Sequence, residues 1–169
     1  MGAVLLVDDD AATLQAYSAL FAEREPATRV LTATSAEEAI GFLQVVVFDV
    51  IVCDLQLPGL DGLGLLKKVQ TIQPETPLVL VTGYGDRELE ADAALKGAYA
   101  LLHKPVDPVV LLSVVKRSTL RKRARRAPEI TVLAASSEDS CRERIQAMNE
   151  RIIKVMEETE EERSRRPSH

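Results

Sequence analysis

The chain has 169 residues, 46% hydrophobic and 28% charged, with a net charge of −5. That is room for one α/β domain with a full core and roughly forty residues more, and the composition excludes a wholly disordered, collagen-like or disulfide-framework chain. No apolar run approaches the roughly 20 residues needed to cross a bilayer, and the opening MGAVLLVDDD lacks a signal peptide's basic segment, so a cytoplasmic location is expected.

Strand-like and helix-like hydrophobic periods alternate five times. Val4 to Val7 reads as a first strand ending in Asp8, Asp9 and Asp10, and Leu14, Tyr17 and Phe21 recur behind it at helical spacing. Arg29 to Ala33 is a second strand. Ser35, with Glu38 three residues on, opens the next helix as a capping box. Asp49 to Cys53 is a third strand, Leu57 to Gly62 a turn, and Leu63 to Ile72 a helix. Leu78 to Val81 is a fourth strand, followed by a helix near Glu88 to Lys96 that Gly97 ends. Ala98 to Leu102 is the fifth strand, and Asp107 to about Arg125 the fifth helix, with Pro128 beyond it. Short apolar strands separated by helices demand a parallel sheet covered on both faces. The predicted fold class is therefore α/β, a doubly wound five-stranded parallel sheet flanked by five helices, with a C-terminal helical extension.

No Gly-rich phosphate loop of the G-x-G-x-x-G or Walker type follows any strand. Ligands of such a sheet bind at the carboxyl ends of the strands, so the residues that end each strand carry the chemistry. The first strand ends in Asp8-Asp9-Asp10, the third in Asp54, the fourth in Thr82 and the fifth in Lys104-Pro105. Converging carboxylates repel one another unless a cation sits among them, and a hard oxygen set favours Mg²⁺. A lysine and a hydroxyl opposite supply donors for phosphoryl oxygens. The pattern reads as a phosphoryl-transfer site whose nucleophile is a carboxylate. His103 should point to the other face of its strand as a surface histidine, and Cys53 and Cys141 read as bland thiols.

The segments VDDD at 7–10, VCDLQLPGLDG at 52–62, VTGYGD at 81–86 and HKP at 103–105, in this order and spacing, resemble the receiver domain of two-component response regulators, the CheY-like family. The resemblance covers residues 1–126 and implies a flavodoxin-like receiver domain there, while 127–169 reads separately as a linker and an amphipathic helix. It implies that Asp54 accepts a phosphoryl group from a partner histidine kinase or phosphotransfer protein. Asp9 with Asp54 and the backbone carbonyl of Gln56 would hold Mg²⁺, and Asp8 would hold a metal-bound water. Thr82 would bond the phosphoryl oxygen, Gly83 would leave its amide accessible, and Lys104 would pair with the phosphoryl group. The Lys104-Pro105 bond is often cis in the family. On this reading the chain is a signalling module that catalyses only its own phosphorylation and dephosphorylation, and it acts on an output protein through altered contacts.

Three features depart from that reading or compete with it. Where receivers carry a switching aromatic, three residues before the lysine, stands Leu101, which reads as ordinary strand packing; Tyr84 and Tyr99 are the available substitutes. Asp8 to Thr13 loosely resembles the Asp-x-Asp nucleophile motif of haloacid-dehalogenase-like phosphatases, with Asp8 and Asp10 as its acids. Asp10, or Asp8, can equally cap the following helix. The rival lacks further paired acids after Lys104 and room for a cap domain.

Charge is segregated along the chain: residues 116–126 hold seven bases and no acid between two acidic segments. Without interleaved aromatics or a helix-turn-helix pattern, this run reads as a solvated or partner-binding face, and direct DNA binding is not expected. Beyond it, Cys141, Ile145, Met148, Ile152 and Val155 fall on one helical stripe that no lone helix can bury, so a homodimer through this segment, a partner helix or packing onto the receiver is expected.

Overall fold

The computed structural model describes residues 2–83 and 87–126. Five strands, β1 (Ala3–Val7), β2 (Arg29–Ala33), β3 (Val50–Asp54), β4 (Leu78–Thr82) and β5 (Ala100–His103), alternate with α1 (Ala11–Arg24), α2 (Ala36–Leu43), α3 (Gly62–Ile72), α4 (Arg87–Leu95) and α5 (Pro108–Arg126). All pairings are parallel, in the order β2-β1-β3-β4-β5. This is the doubly wound sheet expected from the sequence.

The two-residue period of the strands splits the core in two. Leu5, Val7, Ile51, Cys53, Leu78, Leu80 and Leu101 pack against α2, α3 and α4. Val4, Leu6, Val50, Val52, Val79 and Val81 pack against Leu14 and Phe21 of α1 and Leu111, Val114 and Val115 of α5. Every residue of β3 and β4 is buried, which is why these strands read as unbroken apolar runs.

Element ends follow local chemistry and differ from the sequence reading by one or two residues. Asp49 precedes β3, and its carboxylate accepts the Ala3 N–H at 2.8 Å, fastening the start of β1. Asp54 is thus the last residue of β3. Ser35 caps α2 by accepting the Glu38 N–H at 3.2 Å, while Glu38 turns back to the Thr34 N–H at 2.7 Å. Gly97, at φ +90°, ends the turn after α4, and the Ala98 N–H is spent on the Ala93 carbonyl, so β5 begins at Ala100 rather than Ala98. Asp107 caps α5 through the N–H groups of Val109 and Val110, with Pro108 as the first helical residue. The Lys104-Pro105 bond is cis.

One member of the basic run is not solvated. Lys122 is 4% exposed, and its ammonium donates to the Phe48 carbonyl and to Thr76 Oγ1. Gln73 joins the same knot: its amide donates to the Leu43 and Val46 carbonyls while its oxygen accepts from the Phe48 N–H and the Thr76 hydroxyl. The loop before β3 exposes Val45 and Val47 and has no ladder of its own, so these side chains satisfy its backbone. The solvated or partner-binding face expected over 116–126 therefore does not include Lys122.

Candidate functional site

The strand order reverses between β1 and β3, and there the carboxyl ends of the strands open a crevice. Asp8 follows β1, Asp54 ends β3, Thr82 ends β4 and Lys104 follows β5. Asp8, Asp9 and Asp54 bring one carboxylate oxygen each within 4.8 Å of the others, with Asp8 and Asp54 buried and Asp9 exposed.

Two buried carboxylates beside a third need positive charge. The Lys104 ammonium supplies some of it, donating to Asp8 Oδ2 at 3.1 Å and to Asp54 Oδ2. Burial works against that ammonium's charge, but the hydrogen bonds and charges of Asp54 and Asp8 outweigh it and raise the Lys104 pKa. The remaining oxygens meet backbone: Asp8 Oδ1 accepts the Asp10 N–H and Asp54 Oδ1 accepts the Gln56 N–H, each at 2.9 Å. One lysine against three carboxylates leaves a net negative cluster of hard oxygens, a donor set that fits Mg²⁺.

Asp10 does not join the cluster. Its carboxylate caps α1, accepting the Ala12 and Thr13 N–H groups at 3.0 and 3.3 Å and the Thr13 hydroxyl at 2.7 Å. The Thr13 hydroxyl bond and then the backbone bonds hold its pKa below the usual value. An acid committed to a cap cannot be the second acid of an Asp-x-Asp motif, which disfavours the phosphatase reading.

Thr82 is buried, and its carbonyl accepts the Lys104 N–H at 2.7 Å, which ties the hydroxyl's strand to the lysine's. Among the described residues, a Cβ built on Gly83 would meet nothing within 4 Å. Leu101 is buried in the α2–α4 side of the core, as ordinary strand packing. Tyr84 lies outside the described residues; Tyr99 has the Arg121 guanidinium 5.7 Å from its ring centre. His103 is half-exposed, 3.5 Å from Glu90.

Sequence reasoning missed Gly62. A Cβ there would stand 2.6 Å from the Asp54 carbonyl and 2.9 Å from the Leu55 Cα, so only glycine lets α3 begin this close to the end of β3. It also missed Glu37, whose carboxylate accepts the Leu60 N–H at 3.4 Å and braces the loop after Asp54 from α2. The loop is closed by Gly59 at φ +79° and by Asp61, which caps α3 through the Gly64 N–H at 2.7 Å.

Sequence comparison places this geometry in a family: residues 4–116 match the response regulator receiver domain. The chain is 31% identical over 121 residues to the phosphoglycerate transport system transcriptional regulatory protein PgtA of Salmonella typhimurium, covering 72% of this chain and 29% of that protein. It is 29% identical over 141 residues to the DNA-binding transcriptional regulator NtrC of Escherichia coli, covering 82% of this chain and 29% of NtrC. Among solved structures, a receiver domain protein from Clostridium thermocellum superimposes with a TM-score of 0.69 at 28% identity, over 74% of this chain and 99% of that one. A CheY-like receiver from Methanospirillum hungatei gives 0.70 at 28% identity, over 74% and 98%. The chain belongs to the receiver domain family of two-component response regulators, whose general function is phosphorylation on an aspartate.

The chain spans less than a third of the length of these curated relatives. Because they are transcriptional regulators, the expectation against DNA binding does not extend to a whole protein of that kind. Among the described residues no helix is long and apolar enough to cross a membrane.

Proposed function

We propose that Asp54 is the phospho-acceptor of a cytoplasmic response regulator, taking its phosphoryl group from a sensor histidine kinase or a phosphotransfer protein. The observation that carries this reading is the setting of Asp54: a buried carboxylate at the end of a central strand, bonded to the Lys104 ammonium and within 4.8 Å of the Asp8 and Asp9 carboxylates. A carboxylate oxygen of Asp54 attacks the phosphorus, the phosphorus–nitrogen bond of the donor imidazole breaks, and its electron pair leaves on the nitrogen. Asp9, Asp54 and the Gln56 carbonyl would hold Mg²⁺ and Asp8 one of its waters, and the ion would supply positive charge for the carboxylates and the phosphoryl oxygens.

Lys104 then turns from Asp54 to the new phosphoryl group, the Thr82 hydroxyl donates to a second oxygen, and the Gly83 N–H faces the same space. The same residues serve dephosphorylation by water, so the domain catalyses only its own modification. The output is a change of partner. Residues 1–126 form the receiver and 127–169 a separate C-terminal segment; the self-pairing predicted for that segment falls outside the described residues.

With Mg²⁺ and acetyl phosphate, wild type should gain one phosphoryl group by mass spectrometry and Asp54→Asn none. Undiminished label on Asp54→Asn, or label mapped to Asp8, overturns the assignment.

A further inference from the structure

At the end of the sheet away from the acidic cluster, α1 and α5 leave a groove of about 320 Å³. Val4, Phe21 and Val115 form its floor, Leu112 and Thr119 line one wall, and the Lys116–Glu25 ion pair, at 2.6 Å, closes part of its rim. Leu120 stands on the same rim with 64% of its surface exposed. An apolar trough with an exposed leucine on its rim offers a seat for apolar side chains.

We propose that the C-terminal segment of this same chain covers it, with Ile145, Met148 and Ile152 seated between α1 and α5. The reach is sufficient. Arg126, the last residue of α5, is about 9 Å along the helix from Leu120, and the 14 residues from 127 to 140 extend up to about 46 Å. The sizes match as well. As one helical stripe, Ile145 to Ile152 spans about 10 Å and the groove wall from Leu112 to Leu120 about 12 Å.

Charge agrees with this occupant: five glutamates lie between 157 and 162, just past the stripe, while α5 carries the basic run 116–126, of which Lys122 is buried and Lys116 is paired with Glu25. Two heptads of stripe are too few for a firm coiled coil between two copies, whereas a tether of this kind supplies an effective concentration on the order of 1 mM. An intrinsic affinity of only about 0.1 mM then keeps the segment docked roughly ten times as often as free.

Cys141 begins the stripe, and Cys53 is fully buried, so a thiol reagent reads the docking directly in the full chain. At low micromolar protein, Cys141 should react about tenfold more slowly than in the same chain in denaturant, in a species of monomer mass, with a rate independent of protein concentration. Leu120→Glu in the groove and Ile152→Glu in the tail should each restore the fast rate while leaving the far-ultraviolet circular dichroism of the receiver unchanged. Fast labelling of wild type overturns the proposal. So does protection that grows with concentration or accompanies a dimer mass, which assigns the stripe to a second copy. Protection that survives Leu120→Glu also overturns it, since the segment then packs elsewhere.

Discussion

Gly62 and Gly41 should respond in opposite directions to the same one-carbon substitution. In Gly62→Ala the new Cβ would meet the Asp54 carbonyl at 2.6 Å, the Leu55 Cα at 2.9 Å and Leu80 Cδ2 at 3.0 Å. Two of these are backbone atoms, of Asp54 at the end of β3 and of the residue after it, so no side-chain rotation relieves the contact. Overpacking of this kind costs about 1–3 kcal/mol, and at the first turn of α3 the preference of a helix for alanine recovers only part of it. A net loss of about 1–2 kcal/mol follows. In Gly41→Ala, within α2, the new Cβ meets nothing within 4 Å, and the exchange should gain up to about 1 kcal/mol. Urea unfolding followed by circular dichroism should separate the two variants by about 1–3 kcal/mol at an unchanged slope. Because Gly62→Ala pushes on the Asp54 carbonyl, phosphorylation by acetyl phosphate should also slow in that variant and not in Gly41→Ala. If Gly62→Ala is as stable as wild type, or labels at the wild-type rate, the close approach of α3 does not position the acceptor.

Two further outcomes follow from the buried and paired lysines. Lys122→Met removes the ammonium that donates to the Phe48 carbonyl and Thr76; Thr76 Oγ1 still reaches that carbonyl at 3.0 Å, so the cost should be about 1–3 kcal/mol by urea unfolding, with Asp54 phosphorylation retained. Lys104 has a folded-state pKa raised above its ordinary value, so its pairing contributes fully below about pH 10.4 and is lost as pH rises through the folded-state pKa. The burial-raised Tyr17 titrates in the alkaline range too, so the measurement is the difference between wild type and Lys104→Met in urea midpoint across that range. A difference that stays constant with pH refutes the pairing contribution.

What was legible in the sequence divides along a physical line. Burial of β3 and β4 on both faces writes itself as runs of Val, Ile and Leu, and strand-end acids stand out against them, so the fold class and the gathering of Asp8, Asp9, Asp54, Thr82 and Lys104 could be read from pattern alone. Contacts that depend on a distance between remote segments could not. In the sequence Lys122 looks like any other base of its run until α5 is laid against the loop before β3, and the need for glycine at 62 exists only because α3 starts against the Asp54 carbonyl. Asp10 was ambiguous for a third reason: an Asp after a strand is equally a ligand and a cap, and the α1 backbone decides between them.

The lysine's two bonds show how a static cluster can carry a signal. Before modification the Lys104 ammonium is divided between Asp8 and Asp54, and the Lys104 N–H holds the Thr82 carbonyl. On the proposed function, a phosphoryl group on Asp54 would bring added negative charge to that ammonium and draw Lys104 toward it, loosening its hold on Asp8. Because β4 and β5 are joined at this same point, such a shift would reach first the strand ends carrying Thr82 and His103 and the backbone at Gly83. Leu101, packed in the core, has no ring to turn into the space that opens. A change of surface that follows Asp54 phosphorylation should therefore start from the Thr82–Lys104 connection, at the end of the molecule opposite the α1–α5 groove.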